Sequence, residues 1–197
     1  MILQKPNATN GAVKVGATNG RSYNGALMKA GRAGEEIVLD WLRSRPYIQS
    51  VADLRDHAEM RHADIDCSIT ANDGRILLAE IKSDWYMGIS GKVLFEVLRI
   101  NHTAPPERAA TLGWSARSPA TTLFYYAPQV GCIYQCSFGD LRQSFQKYTH
   151  EARKQTNISI VETDAIKTTI NILVPMSYCE SIFKIHRLTD VQTEVMA

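Results

Sequence analysis

The 197-residue sequence has no apolar run long enough to cross a bilayer, and its first residues lack the basic-then-apolar layout of a signal peptide. The expectation from both absences is a cytoplasmic protein with no membrane partner. Cysteine is scarce, with four residues at positions 67, 132, 136 and 179. Cys132 and Cys136 alternate along a strand-like run and neither other Cys is close in sequence. An iron-sulfur cluster is therefore not expected, and reduced core residues are. Internal repeats and a second-domain boundary are also missing, and 45% hydrophobic residues suffice for one domain with a full core.

Acidic residues are absent before Glu35. Over that stretch stand Lys5, Lys14, Arg21, Lys29 and Arg32, which leaves 17 basic against 20 acidic residues in the remainder, although the whole chain carries +2. Residues 1–24, rich in Gly, Asn, Ala and Thr and without apolar period, read as a flexible basic arm, and residues 25–197 as a single domain. A basic arm on a slightly acidic body suits salt-dependent contact with a phosphate backbone; a solvated tail explains it equally well.

The densest chemical pattern runs from Ala63 to Ser83. Ile65, Cys67 and Ile69 alternate with Asp64, Asp66 and Ser68, the period-2 pattern of a half-buried strand. Asn72-Asp73-Gly74 signals a turn, and Ile76-Leu77-Leu78-Ala79 suits a strand buried on both faces. The two runs should pair antiparallel. Glu80 and Lys82 then share one face of the second strand, with Ile81 pointing away. Should the register bring Asp66 opposite them, two carboxylates and an ammonium meet, and like charges and desolvation make such a cluster costly. A divalent cation resolves the conflict, and oxygen ligands of this kind suit Mg²⁺, with Mn²⁺ as a substitute. Asp64 competes with Asp66 for the ligand role, because alternation puts both on one face; the shorter loop to Gly74 favours Asp66.

Elsewhere, Ile37, Val38, Trp41 and Leu42 mark the core face of a helix from about Gly25 to Arg45, with Glu35 and Glu36 near its middle. Tyr47 to Leu54 reads as a strand and Arg55 to His62 as a polar connection, in which Arg61 and His62 could contact a phosphate. Lys92 to Ile100 reads as a third strand carrying Glu96 beside the acidic face or as an edge charge. Residues 101–120 read as a loop that could close over nucleic acid, with Trp114 as its core anchor. Thr121 to Ala127 and Gly131 to Phe138 form a hairpin. Asp140 to about Lys154 is a helix with Arg142, Lys147, Arg153 and Lys154 exposed. Ile158 to Glu162 and Thr168 to Val174 are the last strands, and Ser177 caps a short helix.

The constellation of Asp66 followed by Glu80-Ile81-Lys82 resembles the active site of the PD-(D/E)xK, or restriction-endonuclease-like, nucleases. Gly34-Glu35-Glu36 opening toward Trp41-Leu42 resembles the first helix of the resolvase-like members. Glu35 is the matching acid by spacing and Glu36 its rival. Gly91 with Glu96, Gly113-Trp114 and the aromatic run Leu123-Phe124-Tyr125-Tyr126 resemble a subgroup found in phages and mobile elements. The similarity spans residues 31–176, with Ile65 in place of the Pro that begins the motif.

That resemblance implies an α/β fold with a central mixed β-sheet flanked by helices, and a Mg²⁺-dependent endonuclease that hydrolyses DNA, with RNA also open. It assigns Asp66, Glu80 and the Ile81 carbonyl to the metal and Lys82 to the attacking water and transition state. Glu35 completes the site. Apart from the resemblance, the basic charge before Glu35 and the polar connection before the acidic strand make Lys29, Arg32, Arg61 and His62 the candidate nucleic-acid contacts. A homodimer would suit symmetric cutting of two strands. Two other readings remain: a catalytically inactive nucleic-acid-binding or assembly module with the same fold, and a metal-free α/β protein in which Glu80 and Lys82 are a surface pair.

Overall fold

The computed structural model describes residues 20–151, 158–164 and 167–188. The chain runs α1 (Gly20–Arg43), β1 (Ile48–Asp53), α2 (Ala58–His62), β2 (Cys67–Ala71), β3 (Ile76–Ser83), α3 (Met87–Ser90), β4 (Lys92–Asn101), β5 (Ala110–Leu112), α4 (Trp114–Arg117), β6 (Thr122–Ala127), β7 (Cys132–Ser137), α5 (Phe138–Glu151), β8 (Ile158–Asp164), β9 (Lys167–Pro175) and β10 (Lys184–Arg187). The strands form two sheets, a six-stranded one ordered β1-β2-β3-β6-β7-β10 and a four-stranded one ordered β5-β4-β9-β8. In the first, β1, β2 and β3 are an antiparallel meander, β6 lies parallel to β3, and β7 and β10 return antiparallel.

The β2–β3 hairpin pairs Cys67 with Ala79 and Thr70 with Ile76. Its turn is closed by Gly74 at φ 82°, a left-handed conformation that favours glycine. All of β6 is buried and alternates between two cores. Phe124 and Tyr126, with Ala79 and Ile81 of β3, pack against Val38, Leu39, Trp41 and Leu42 of α1. Leu123 and Tyr125 face the other way, toward Val93 and Phe95 of β4, Trp114, and Phe138 and Leu141 of α5. Burying each such side chain contributes about 1.5–3 kcal/mol, so a sheet with apolar residues on both faces draws a layer onto each. The helix α5 is begun by Ser137, whose hydroxyl accepts from the Asp140 amide at 3.0 Å and donates to its carboxylate at 2.7 Å.

Several expectations are corrected. The first helix begins at Gly20, so residues 20–24 belong to it and not to an arm; residues 1–19 lie outside the described residues. The single central sheet becomes two, because β4 pairs with β5 and β9 rather than joining β3. Of the run expected to be buried on both faces, Ile76 is exposed and Leu77 and Leu78 are half-buried. The connection after β1 contains α2, and the expected loop 101–120 contains β5 and α4. Arg142 is not a free surface cation: it donates to the Ser115 and Ser118 carbonyls at 3.1 and 2.5 Å. Arg153 and Lys154 lie outside the described residues. Ser177 sits inside a short 3-10 turn without a capping bond.

Candidate functional site

The parallel step from β3 to β6 sets the site. Glu80 stands beside Leu123 and Lys82 beside Tyr125, both on the sheet face that looks toward β4 and α4, while Ala79 and Ile81 fill the α1 side. Asp66 precedes β2 by one residue, and its amide donates to the Ala79 carbonyl at 2.8 Å. Its carboxylate is then pinned to β3, since Oδ2 accepts from the Ile81 amide at 2.8 Å. Gly34 lets α1 close on this strand. A Cβ there would collide with Ser83, so glycine is what allows Glu35 to reach the site over the end of β3.

Lys82 pairs directly with Oε1 of Glu80 and lies 5.3 Å from the centre of the Trp114 ring. Glu80 is 1% exposed, and its second oxygen, Oε2, is one of two buried side-chain polar atoms without a hydrogen-bond partner among the described residues, the other being Ser83 Oγ. Burial pushes the Glu80 carboxyl well up, the Asp66 charge adds to the effect, and Lys82 opposes both. Burial would lower the Lys82 ammonium, but the carboxylates of Glu80, Asp66 and Asp64 outweigh it and hold it charged. Glu35 is raised by burial and by Asp66, against Lys82 and Arg55. These couplings bring Glu35, Asp66, Glu80 and Lys82 into one electrostatic cluster.

Asp64 is elsewhere. The strand begins at Cys67, so alternation does not extend back to it; its backbone is left-handed at φ 54°, and its carboxylate is taken by Arg117 at 2.5 and 3.0 Å, with Arg99 at 3.7 Å. Glu36 is held between Arg55 at 2.5 Å and Arg43 at 3.2 Å. Glu96 lies on an interior strand, pairs with Arg99 and accepts from the Trp114 amide at 3.4 Å. It orders α4 and is not an edge charge. Lys29, Arg61 and His62 are exposed, and Arg32 pairs with Asp56 at 2.8 Å on the surface.

Sequence reasoning missed Arg55. It is 7% exposed and donates to Asp53 at 2.6 Å, Glu36 at 2.5 Å and Glu35 at 3.4 Å, tying α1 to the end of β1. No spacing signal marks it, because its partners come from two elements. Trp114 is the expected anchor, 3% exposed between Phe95 and Phe138, and it also floors the Lys82 ammonium.

Among the described residues, no three His, Cys, Asp or Glu side chains gather into a group that could hold a metal ion. The side chains that could share one are Asp66 and Glu80. Lys82 stands directly on the Glu80 carboxylate, and the Asp66 charge acts on both Glu80 and Glu35. No family model, curated protein or solved structure matches the chain.

Proposed function

We propose that the protein is a metal-dependent nuclease of the restriction-endonuclease-like type, with Asp66, Glu80, Lys82 and Glu35 at its centre. The observation that carries the reading is the buried Glu80 carboxylate, with one oxygen on Lys82 and the other without a partner, beside Asp66. A structural ion pair ordinarily satisfies both oxygens of a buried carboxylate, since an unsatisfied buried acceptor costs about 1–3 kcal/mol. The strand order adds support: an antiparallel meander whose third strand bears Glu-x-Lys and is followed by a parallel neighbour, with a helix across one face.

Asp66, Glu80 and the Ile81 carbonyl would hold Mg²⁺ or Mn²⁺, which uses only one or two protein carboxylates and keeps several waters. Such an ion supplies Lewis-acid activation of the phosphate and a more acidic bound water. The chain's own groups do the rest. Lys82 offsets charge on a phosphate oxygen as the transition state forms, and Trp114 beneath it limits the directions the ammonium can take. Asp66 is fixed by the Ile81 amide and so is preorganised. Glu35, its proton affinity raised by burial and by Asp66 and its carboxylate held by Arg55, would accept a proton there.

The test is cleavage of a panel of labelled substrates (four-way junction, duplex, nicked duplex, single-stranded DNA and single-stranded RNA) with Mg²⁺ or Mn²⁺. Lys82→Ala and an EDTA arm serve as controls. Metal-dependent cutting that falls at least about a hundredfold in Lys82→Ala is expected. Cutting that persists unchanged in the variant, or binding with no cutting by the wild type, overturns the nuclease reading, and the second outcome leaves the binding module.

A further inference from the structure

The segment that leaves the end of β3 is unusual for its exposed apolar surface. Within four residues of Ser83, the chain presents Trp85 at 46% exposure and Tyr86 at 64%, followed by Ile89 at 72%. Val130 of the β6–β7 connection, 46% exposed, adjoins the same segment, because Gly88 packs against Gln129 and Val130. The other two tryptophans are nearly buried, at 6% for Trp41 and 3% for Trp114, and each has aromatic neighbours. Exposed apolar side chains clustered in this way form the kind of surface that interaction sites use.

The segment is also held rigidly. Asp84 accepts from the Tyr86 amide at 2.7 Å and the Met87 amide at 3.2 Å through Oδ1, and from the buried Tyr125 hydroxyl at 2.7 Å through Oδ2. Met87 is 2% exposed and anchors α3 in the core. Gly91 ends the turn at φ 61°, and its carbonyl accepts from the Met176 amide at 2.8 Å. The fold thus fixes the backbone on both sides of Trp85 while leaving its ring about half exposed. Prior ordering of a contact surface lowers the entropy lost on binding.

We infer that Asp84–Ser90 is a base-stacking platform, and that the nucleic acid bound at Lys82 carries unpaired nucleotides beside the reacting phosphodiester. This rests on the nuclease reading for the identity of the ligand. Trp85 is three residues beyond Lys82, in the turn that follows β3, so their backbones are at most roughly 10 Å apart, within the span of a few nucleotides. A nucleobase offers a flat apolar face joined to a phosphodiester, which matches an exposed aromatic ring close in the chain to the phosphate site proposed around Lys82. Inside a duplex that face is covered by its neighbours, whereas a single strand, a flap or a splayed junction leaves it open. Stacking on aromatic side chains is indifferent to sequence, so the platform selects structure and not bases.

The experiment measures binding in EDTA, where no catalysis is needed, using the full chain and a fluorescein-labelled thymidine strand of about 12 nucleotides. A blunt duplex of equal length serves as the comparison. Tighter binding of the single strand, quenching of Trp85 fluorescence on binding, and roughly tenfold weaker single-strand binding by Trp85→Ala are expected. Circular dichroism checks that the variant is folded, and Trp85→Phe should abolish the quench while keeping most of the affinity. Equal affinity of wild type and Trp85→Ala for the strand, or no quench at saturation, overturns the platform. The two proposals fail separately. Quench and loss of affinity without any metal-dependent cutting keep the platform and remove the nuclease, whereas cutting lost in Lys82→Ala alongside unchanged Trp85→Ala binding does the reverse.

Discussion

Arg55 donates to carboxylates from two elements, and its loss would be felt most strongly where those charges are ionised. Its hydrogen bonds are the largest cause holding Asp53 and Glu36 below the ordinary carboxylate range. A carboxylate with a depressed folded value adds stability that is fully present above its unfolded value, near pH 4, and is lost as pH falls through the folded one. Arg55→Met should therefore cost about 2 kcal/mol at neutral pH, less than a fully buried pair because Glu36 is half exposed and Asp53 about a third. The deficit should shrink as pH drops below about 4. Urea denaturation of both proteins at pH 7 and near pH 3.5 measures this, and a deficit independent of pH would sink the account. At the same scale, Glu80→Gln keeps the volume but removes the charge. On the proposed nuclease reading it should abolish metal-dependent cutting while the protein remains folded, read by cleavage alongside circular dichroism.

The element that shapes the floor of the site is α4, and its seat on β4 depends on one glycine. A Cβ at Gly113 would strike the Glu96 backbone, which has no flexible end to move aside. The Gly113 amide donates to the Val97 carbonyl at 3.0 Å, and the Ser115 hydroxyl to the Glu96 carbonyl at 2.6 Å. Close backbone approach and the bulge in β4 between Glu96 and Leu98 are thus two sides of one contact. Gly113→Ala should destabilise by about 1–3 kcal/mol through forced displacement. It should also disturb Trp114 and with it the Lys82 ammonium, so on the proposed nuclease reading the cleavage rate should fall more than the stability change alone explains. A thermal melt paired with a cleavage rate tests this; a wild-type rate in the folded variant would show that α4 does not position Lys82. The Gly-Trp pair stood out in the sequence as a motif, but its reason did not, because the obstructing atom belongs to a residue 17 positions earlier.

At the scale of the molecule, the six-stranded sheet joins two cores, one against α1 and one against β4, α4 and α5. Every described Cys is buried and free, with Cys67 in the first core and Cys136 and Cys179 in the second. Burial pushes the thiols of Cys67 and Cys136 up to about 12. They should resist a thiol reagent at pH 8 in the native state and react together in one denaturant transition that coincides with the fluorescence change. Two separate transitions would show that the layers unfold independently. Among the described residues no helix is long and apolar enough to cross a membrane. The sequence by itself determined the local elements around the site. Alternation and turn chemistry marked the hairpin, Glu80 and Lys82 shared a face because strand side chains repeat every two residues, and the apolar stripe of α1 marked its buried side. Only the tertiary structure decided which sheet β4 would join, that β10 exists, that Asp64 is spent on Arg117, and that Arg55 gathers the acids of α1 and β1. Those outcomes depend on contacts between residues far apart in the chain. Periodicity records which way a side chain points, but not what it meets there.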